Sequence, residues 1–361
     1  MNSPTLKNSN SKPLKPSLEI KEFSPGKTPS YFSIIYRQFK KSRLNRLGLW
    51  FILLTALIAL AAPLLANSEP IYMHHQGKNY FPVLRTLWPL SYFKLYPDLR
   101  MANYDALQRE GAEIYYTLIP YSPNAYDLDS SLHPPSQEHW LGTDEQGRDV
   151  LSRLVHGSRI SLSVGLVAVS IYVLIGIFFG SLAGYFGGRL DMLISRLIEI
   201  VMCFPTFFLI LTLLAITKPS IYYIMLAIGL TGWTGIARLV RGEFFKLRDQ
   251  DFIVACRSQG MSSGRIIAKH ILPNALAPVM VSATFGIASA ILIESSLSFL
   301  GFGVQPPTPS WGELLSQSRD FISFAWWLTV FPGLAIFITI TSYNLAGEGL
   351  RDAIDPKLKQ E

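Results

Sequence analysis

The side chains between Asp251 and Asn274 are the ones whose types and spacing predict a specific interaction. This segment is polar and basic, yet it lies between two long apolar runs. The residues up to Gln259 favour a helix, and Gly260 can adopt the left-handed conformation in which many helices end. Ser262 can cap a second helix, which Pro273 is expected to close. Two short helices around a glycine turn would form a compact knob that fits a groove on another protein.

Catalytic motifs are absent from the sequence. It has no G-x-x-x-x-G-K-[ST] phosphate-binding loop, no G-x-S-x-G nucleophile elbow and no H-E-x-x-H metal site. The adjacent His74 and His75 have no Cys and no carboxylate at a metal-ligand spacing. We therefore expect no catalytic residue, no metal site and no cofactor. Any ATP hydrolysis would belong to a separate subunit.

Long apolar runs must position the knob at a membrane. Charged residues make up only 16% of the chain, against about 25% in soluble domains, and a helix needs roughly 20 apolar residues to cross a bilayer. Runs of that size predict six transmembrane helices, at Leu47–Ala66, Ile160–Phe186, Ile200–Thr217, Pro219–Ala237, Ile271–Ile293 and Phe321–Ala346. The third and fourth runs are so close that we expect a tight turn between antiparallel helices.

Lysine and arginine near the ends of the runs predict the orientation, because these residues are concentrated in cytoplasmic loops. Several precede the first run, and many more lie between the second and third runs and between the fourth and fifth runs. The two short loops on the other side contain only Lys218 and Arg319. Both termini are therefore expected on the cytoplasmic side, with membrane lipid around the helices and no nucleic acid partner.

These boundaries divide the chain into five parts. Residues 1–36 are rich in Ser, Pro and Lys and are expected to be a disordered cytosolic tail. Residues 37–66 form the first helix with its basic flank, 67–157 a long loop on the opposite side of the membrane, 158–349 a core with the other five helices and 350–361 a cytosolic tail. The aromatic residues and prolines of the loop predict a small irregular α/β subdomain. It is either a docking platform or lid, or an insertion that merely packs on the bundle.

The knob resembles a cytosolic loop of the inner-membrane permeases of bacterial ABC importers. The loop pattern is E-A-A-x3-G-x9-I-x-L-P, and in this chain it reads Val254, Ala255, Cys256, Gly260, His270, Leu272 and Pro273. Val254 replaces the Glu and Cys256 the second Ala, while His270 followed by Ile-Leu-Pro-Asn is similar to the peptide and nickel branch. The resemblance implies that these residues, with Ile266 and Ile267, couple the chain to a groove on an ATPase subunit.

Three further stretches resemble the C-type permease subunits of dipeptide and oligopeptide importers, namely His139–Leu162, Leu297–Leu315 and Gly347–Lys357. The start of the long loop looks most like the Yej-type subgroup, which is associated with oligopeptides and microcin C. The resemblance implies a type I ABC importer permease fold in the bacterial inner membrane. It also implies a second permease subunit, cytosolic ABC ATPase subunits and a periplasmic substrate-binding protein as partners.

Other conspicuous residues have structural interpretations. Gly176, Gly180 and Gly184 have the small-xxx-small spacing that favours close packing of helices, either within the chain or with a partner permease. Glu294 is expected near the outer membrane boundary, where snorkelling or pairing removes most of the cost of its charge. Asp144 and Arg148, four residues apart, are expected to form a surface pair on a short helix.

The sequence thus predicts an all-α polytopic membrane protein with six transmembrane helices and an irregular α/β insertion between the first two. Its predicted function is that of a non-enzymatic permease subunit that forms half of the pathway of an ATP-driven importer, for peptides or peptide-like compounds. The alternative is an ion-coupled secondary transporter, although such proteins usually have ionisable residues or broken helices at the midplane. A membrane-anchored enzyme that uses the long loop is a third hypothesis.

Overall fold

Long helices dominate the computed structural model, which describes residues 37–87, 95–99, 102–217 and 220–354. The tail expected at 1–36 lies outside the described residues, as does most of the tail expected at 350–361. In chain order the helices are α1 (Arg43–Leu65), α2 (Tyr104–Arg109), α3 (Val150–Phe186), α4 (Gly188–Met202), α5 (Thr206–Ile216), α6 (Ile221–Leu247), α7 (Asp251–Ser258), α8 (Ser263–Ile266), α9 (Leu272–Phe299), α10 (Trp311–Gln317) and α11 (Trp327–Ile354).

A small antiparallel sheet lies between α1 and α3. Its strands are β1 (Tyr72–His75), β2 (Lys78–Tyr80) and β3 (Glu113–Tyr115), in the order β2-β1-β3. Met73 of β1 is opposite Tyr80 of β2 and Ile114 of β3, and its side chain is fully buried. Short 3-10 turns and α2 complete the segment. The prediction of an irregular α/β insertion is confirmed.

Five helical segments among the described residues are long and apolar enough to cross a membrane: α1, α3, α6, the segment from α8 through α9, and α11. Helices α4 and α5 are bent by 80° relative to each other at a short break. If the two together form one broken span, they make a sixth crossing. The prediction of a single helix over Ile200–Thr217 is therefore wrong. Pro205 ends regular helix there, because it lacks an amide N–H and disfavours helical backbone at the preceding residue.

Helices α3 and α6 lie side by side and run in the same direction. A Cβ atom added to Gly176 would lie 2.6 Å from the Cβ of Ile236, and one added to Gly180 would lie 2.6 Å from the carbonyl oxygen of Ala237. Gly184 in turn faces Phe244, so the contacts advance together along both helices. Since parallel neighbours require the chain to return between them, α4 and α5 must carry it from the end of α3 to the start of α6.

The helix α11 is antiparallel to both α1 and α9. Gly48 of α1 packs against Leu345, while Gly349 packs against Asn45 nearer the start of α1. Phe285 of α9 contacts Gly347, and the later residues of α9 share a buried cluster with Tyr343. The start of α1, the end of α11 and the start of α9 therefore lie at the same end of the bundle.

That end is called the basic end here, and it also holds the ends of α3 and α6. Its basic side chains belong to segments that are far apart in sequence, and they include Arg43, Arg189, Arg248, Arg257, Arg265 and Arg351. The opposite end, called the loop end, holds the sheet and the start of α3. Clustering of the basic loops at one end is the arrangement that the sequence-based orientation requires.

Hydrogen bonds fasten the long loop to the loop end of the bundle. His156 Nε2 of α3 is 2.8 Å from the carbonyl oxygen of Ala66, and Ser152 Oγ donates to the Tyr121 carbonyl at 2.8 Å. The indole of Trp327 donates to the Thr143 carbonyl at 3.0 Å. The loop therefore packs on the bundle, whichever further role it has.

Candidate coupling surface and central cavity

Gly260 forms the turn between α7 and α8, as the sequence predicts. Its φ angle is +75°, in the left-handed region. Its N–H donates to the Arg257 carbonyl at 2.9 Å, and the N–H of Met261 donates to the Cys256 carbonyl at 3.2 Å. This pair of bonds is the Schellman arrangement, which satisfies the last carbonyls of a helix and reverses the chain sharply.

One face of this turn is anchored in the bundle. Ile253, Ile266 and Ile271 are almost inaccessible and join the core that is centred on α3, α6 and α9. Cys256 is also buried in that core. The guanidinium of Arg257 lies over the ring of Tyr185 near the end of α3, with 5.3 Å between its Cζ and the ring centroid. The turn is therefore packed against these helices.

The sides of α7 that do not face the core are exposed and partly apolar. Val254 is 48% exposed and Phe252 is 41% exposed, although both lie at the basic end and close to Arg257 in sequence. Ala255 and Gly260 are exposed beside them. Phe252 was missed by the sequence analysis. The sequence holds no local signal for it, because the run Phe252–Val254 does not show which of its three residues a helix turns inward.

The predicted second short helix does not exist as a separate element. The chain passes from α8 through a π-helical turn at Ile267–Ile271 directly into α9, so Pro273 does not close a helix. The N–H of Leu272 donates to the Ile267 carbonyl. Pro273 lies in the first turn of α9, where its missing N–H costs little.

Ser262 occupies the N-cap position of α8, but its side chain makes no capping hydrogen bond. The prediction of a side-chain cap is therefore wrong. His270 and Leu272 are half-buried along the junction, Ile267 is half-buried beside them, and Pro273 is exposed. The second half of the knob is thus the beginning of a membrane-crossing helix.

A cavity of about 320 Å³ lies near the middle of the bundle, between α3, α5, α6 and α9. Tyr172 of α3 forms one wall, and its ring lies against Gly232 of α6 and Gly286 of α9. A Cβ atom on Gly232 would be 2.8 Å from the Tyr172 Cδ1, and one on Gly286 would overlap the Tyr172 hydroxyl. Only glycine admits the ring at these two positions. Thr231 and Ser289 add hydroxyl groups to the wall, and none of the described lining residues is charged.

A buried ionic cluster lies at the loop end. Arg148 Nε donates to Asp144 Oδ2 at 2.7 Å, and Arg153 Nη2 donates to Glu313 Oε2 at 2.7 Å. All four side chains are buried. The expectation of a surface pair on a short helix is wrong for Asp144 and Arg148, because the loop folds over the start of α3 and α10 covers it. Burial raises the pKa of Glu313, an effect that the guanidinium of Arg153 opposes.

Glu294 is fully buried and not placed to snorkel. Ser298 Oγ and Ser310 Oγ donate to its Oε1 at 2.8 and 2.9 Å, and Ser161 Oγ lies 3.4 Å from its Oε2. The serines come from α9, from the N-cap of α10 and from α3. Snorkelling is therefore excluded, and the carboxylate instead joins three segments of the chain; its position near a membrane boundary stays a prediction.

The two polar clusters connect the stretches His139–Leu162 and Leu297–Leu315, whose motifs the sequence analysis recognised. These stretches are thus one structural unit at the loop end. The described residues contain no group of three or more His, Cys, Asp or Glu placed to hold a metal ion. His74 is within hydrogen-bond distance of Asn79, with 2.6 Å between Nδ1 and Oδ1.

Comparison with known proteins accounts for this architecture. Residues 176–360, more than half of the chain, match the family described as binding-protein-dependent transport system inner membrane component. The chain belongs to this permease family. Residues 30–82 match the N-terminal transmembrane domain of oligopeptide transport permease C. The predicted recognition of an ABC importer permease and the predicted polytopic helical fold are confirmed.

Curated permeases are similar to the chain over about two thirds of its length. The dipeptide transport system permease protein DppC of Alkalihalophilus pseudofirmus is 47% identical over 228 residues, which cover 63% of this chain and 75% of that protein. The di/tripeptide permease DppC of Pseudomonas aeruginosa is 43% identical over 248 residues, covering 67% and 82%. The oligopeptide permease OppC of Bacillus subtilis is 37% identical over 240 residues, covering 66% and 79%.

Among solved structures, a chain of the MetNI methionine ABC transporter in an inward-facing conformation is similar to this permease. The match covers 57% of this chain and 98% of that chain, with a TM-score of 0.46 and 19% sequence identity.

Proposed function

We propose that this permease forms one half of the translocation pathway of an ATP-driven importer for peptides or peptide-like compounds. A second permease subunit would form the other half, and a periplasmic substrate-binding protein would deliver the cargo. The names of the relatives, which transport dipeptides, tripeptides and oligopeptides, support the cargo class. The assignment to the Yej-type subgroup stays a prediction.

The observation that carries the proposal is the two-sided knob at the basic end. Its inner face packs into the core through Ile253, Ile266 and Ile271, while Phe252 and Val254 are exposed on the two sides of α7 that flank this face. Exposed apolar side chains in a polar, basic segment are typical of a surface that another protein covers. We propose that cytosolic ABC ATPase subunits bind this surface and supply the ATP hydrolysis, so that the permease itself is not an enzyme.

The proposed coupling surface includes the residues expected from the motif in two different roles. Val254, Ala255 and Gly260 would touch the ATPase subunit. Cys256, Ile266, Ile267, His270, Leu272 and Pro273 would instead hold the knob against the bundle, because they are buried, half-buried or part of the junction with α9. Closure of the ATPase dimer would then pull on α7 and reorient α9 and α3.

The same proposal fixes the orientation in the bacterial inner membrane. The basic end would face the cytoplasm with both termini, and residues 67–157 would face the periplasm. Residues 158–349 would form the permease core, preceded by the first spanning segment at 37–66. The clustering of arginines at one end of the bundle supports this orientation.

Replacing Phe252 and Val254 together by Ser tests the coupling proposal. The side chains are exposed, so the fold should persist, whereas deletion of 266–271 would remove buried core residues. We expect co-purification of the ATPase subunit and ATP-dependent peptide uptake to fall by about tenfold or more, as for loss of central interface residues.

Leu190→Ser is the matched control, because Leu190 is 37% exposed at the same end but lies on α4. It should leave assembly and uptake unchanged. Normal assembly and uptake with the double Phe252/Val254 variant would show that α7 is not the coupling element. Loss of uptake on collapse of the proton gradient, with ATP maintained, would favour a secondary transporter instead.

A further inference from the structure

The central cavity has the position and size of a ligand site. Tyr172, Thr231 and Ser289 lie near the middle of α3, α6 and α9, so the cavity is near mid-depth in the predicted membrane. Its volume of about 320 Å³ is at the lower end of the range of about 300–1,000 Å³ typical of ligand pockets. It can hold a short piece of an extended chain rather than a whole large cargo.

Two hydroxyl groups of the cavity wall are oriented by their own helices. Thr231 Oγ1 donates to the Ala227 carbonyl at 2.9 Å, and Ser289 Oγ donates to the Phe285 carbonyl at 3.1 Å. A hydroxyl group has a single hydrogen to donate and two acceptor lone pairs. With the hydrogen used inside the helix, each of these oxygens offers only acceptors to a ligand. Tyr172, Thr206 and Ser282 also line the cavity, and their hydroxyl groups can donate. The wall therefore offers both acceptors and donors, as the N–H and C=O groups of a peptide main chain require.

The absence of charge among the described lining residues limits what the cavity can distinguish. A carboxylate or guanidinium in the wall would attract one class of cargo side chain and repel another. Neutral acceptors instead bind weakly, which suits a pathway that its cargo must leave as well as enter. Main-chain amides are donors that peptides present along their whole length, regardless of their side chains.

We propose that this cavity is a transient site for the main chain of a peptide cargo, whose N–H groups donate to the oxygens of Thr231 and Ser289. The inference rests on the proposed function and adds the chemistry by which this chain contacts its cargo. The ring of Tyr172, seated between Gly232 and Gly286, forms the wall against which the peptide lies. Selection between acidic, basic and neutral side chains occurs outside this site.

The test combines Thr231→Val with Ser289→Ala, which removes both acceptors at nearly constant shape. Uptake of labelled trialanine, Ala-Lys-Ala and Ala-Glu-Ala is measured below saturation in cells that contain the full transporter and lack the native copy. We expect uptake of all three peptides to fall by a similar factor of about five, the order expected for the loss of one or two hydrogen bonds. Thr231→Ser keeps the oxygen and should retain uptake.

Thr284→Val and Ser170→Ala are the matched controls. Their hydroxyls also donate to carbonyls four residues earlier, at 2.9 and 2.7 Å, but neither residue lines the cavity. Uptake is normalised to the amount of permease in the membrane. Should the double variant fail to accumulate, the milder Ser289→Ala decides by the same criterion.

Unchanged uptake of all three peptides, or a fall for one side-chain class alone, would overturn the proposed main-chain site. If the proposed function itself is wrong, the uptake experiment gives a different result. In that case the unmodified permease would restore uptake of none of the peptides, whichever residues occupy positions 231 and 289.

Discussion

At the residue scale, the sequence located the motif residues but not their roles. Gly260 was predicted to end α7 and does so with a positive φ angle, because that requirement is local. The inward position of Cys256 and the exposure of Phe252 depend on how α7 is rotated against the bundle. Likewise, the pairing of Arg153 with Glu313 joins residues 160 positions apart, which no local spacing encodes.

The buried pair of Arg153 and Glu313 leads to a stability prediction. Glu313→Gln should destabilise the permease by about 1–3 kcal/mol, because it removes the carboxylate that pairs with Arg153 Nη2 and leaves the buried guanidinium only Asp144, 3.4 Å from its Nε. Arg153→Met combined with Glu313→Met should cost clearly less than the sum of the single substitutions. Unfolding of the purified transporter in detergent, followed by temperature or denaturant, measures these differences.

The pair Arg196 and Glu199 is the matched control, since its atoms are 2.6 Å apart but both side chains are more than half exposed. Arg196→Met should change stability by less than about 1 kcal/mol. Equal effects at the two pairs would mean that burial at the loop end has no energetic importance.

At the element scale, the apolar runs predicted most helices, and local chemistry decided where the prediction failed. The run Ile160–Phe186 was too short, because α3 begins at Val150 with Asp149 as its N-cap, whose carboxylate accepts from the Ser152 N–H at 2.7 Å. The third run contains Pro205 and breaks there. The parallel packing of α3 on α6 was not predicted, since small-residue spacing does not identify the partner helix.

The close packing of α3 on α6 makes a second prediction. Gly180→Ala should destabilise the permease by about 1–3 kcal/mol, since the new Cβ would press against the Ala237 carbonyl and force the helices apart. Gly242→Ala is the control, because no atom lies within 4 Å of a Cβ built there. That substitution should be neutral or stabilising by up to about 1 kcal/mol. Thermal unfolding of both variants distinguishes overpacking from a general effect of losing glycine.

At the scale of the whole molecule, hydropathy and charge predicted the polytopic class and the clustering of basic segments. The membrane lipid and the predicted partner subunits act through surfaces that the sequence could not outline. The exposed face of α7 and the uncharged cavity became visible only when distant segments were brought together. That the basic end faces the cytoplasm stays a prediction.

Thiol labelling tests that orientation. Native Cys256 is buried and is a poor reporter, whereas Ser258 and Gln137 are exposed at the basic end and in the long loop. With Cys203→Ser and Cys256→Ala as background, Gln137→Cys should react with an impermeant maleimide in right-side-out vesicles. Ser258→Cys should react only after permeabilisation. Reaction of Ser258→Cys in sealed vesicles would place the coupling surface on the wrong side.

The unbroken passage from α8 through the π turn into α9 has a mechanical consequence. Ser263–Phe299 is 37 residues long, which corresponds to about 55 Å of helix. If this rod pivots near the cavity at its middle, a tilt of about 10° moves its two tips by about 5 Å in opposite directions. A single pull on the tip at the basic end would then narrow the passage on one side of the membrane while widening it on the other.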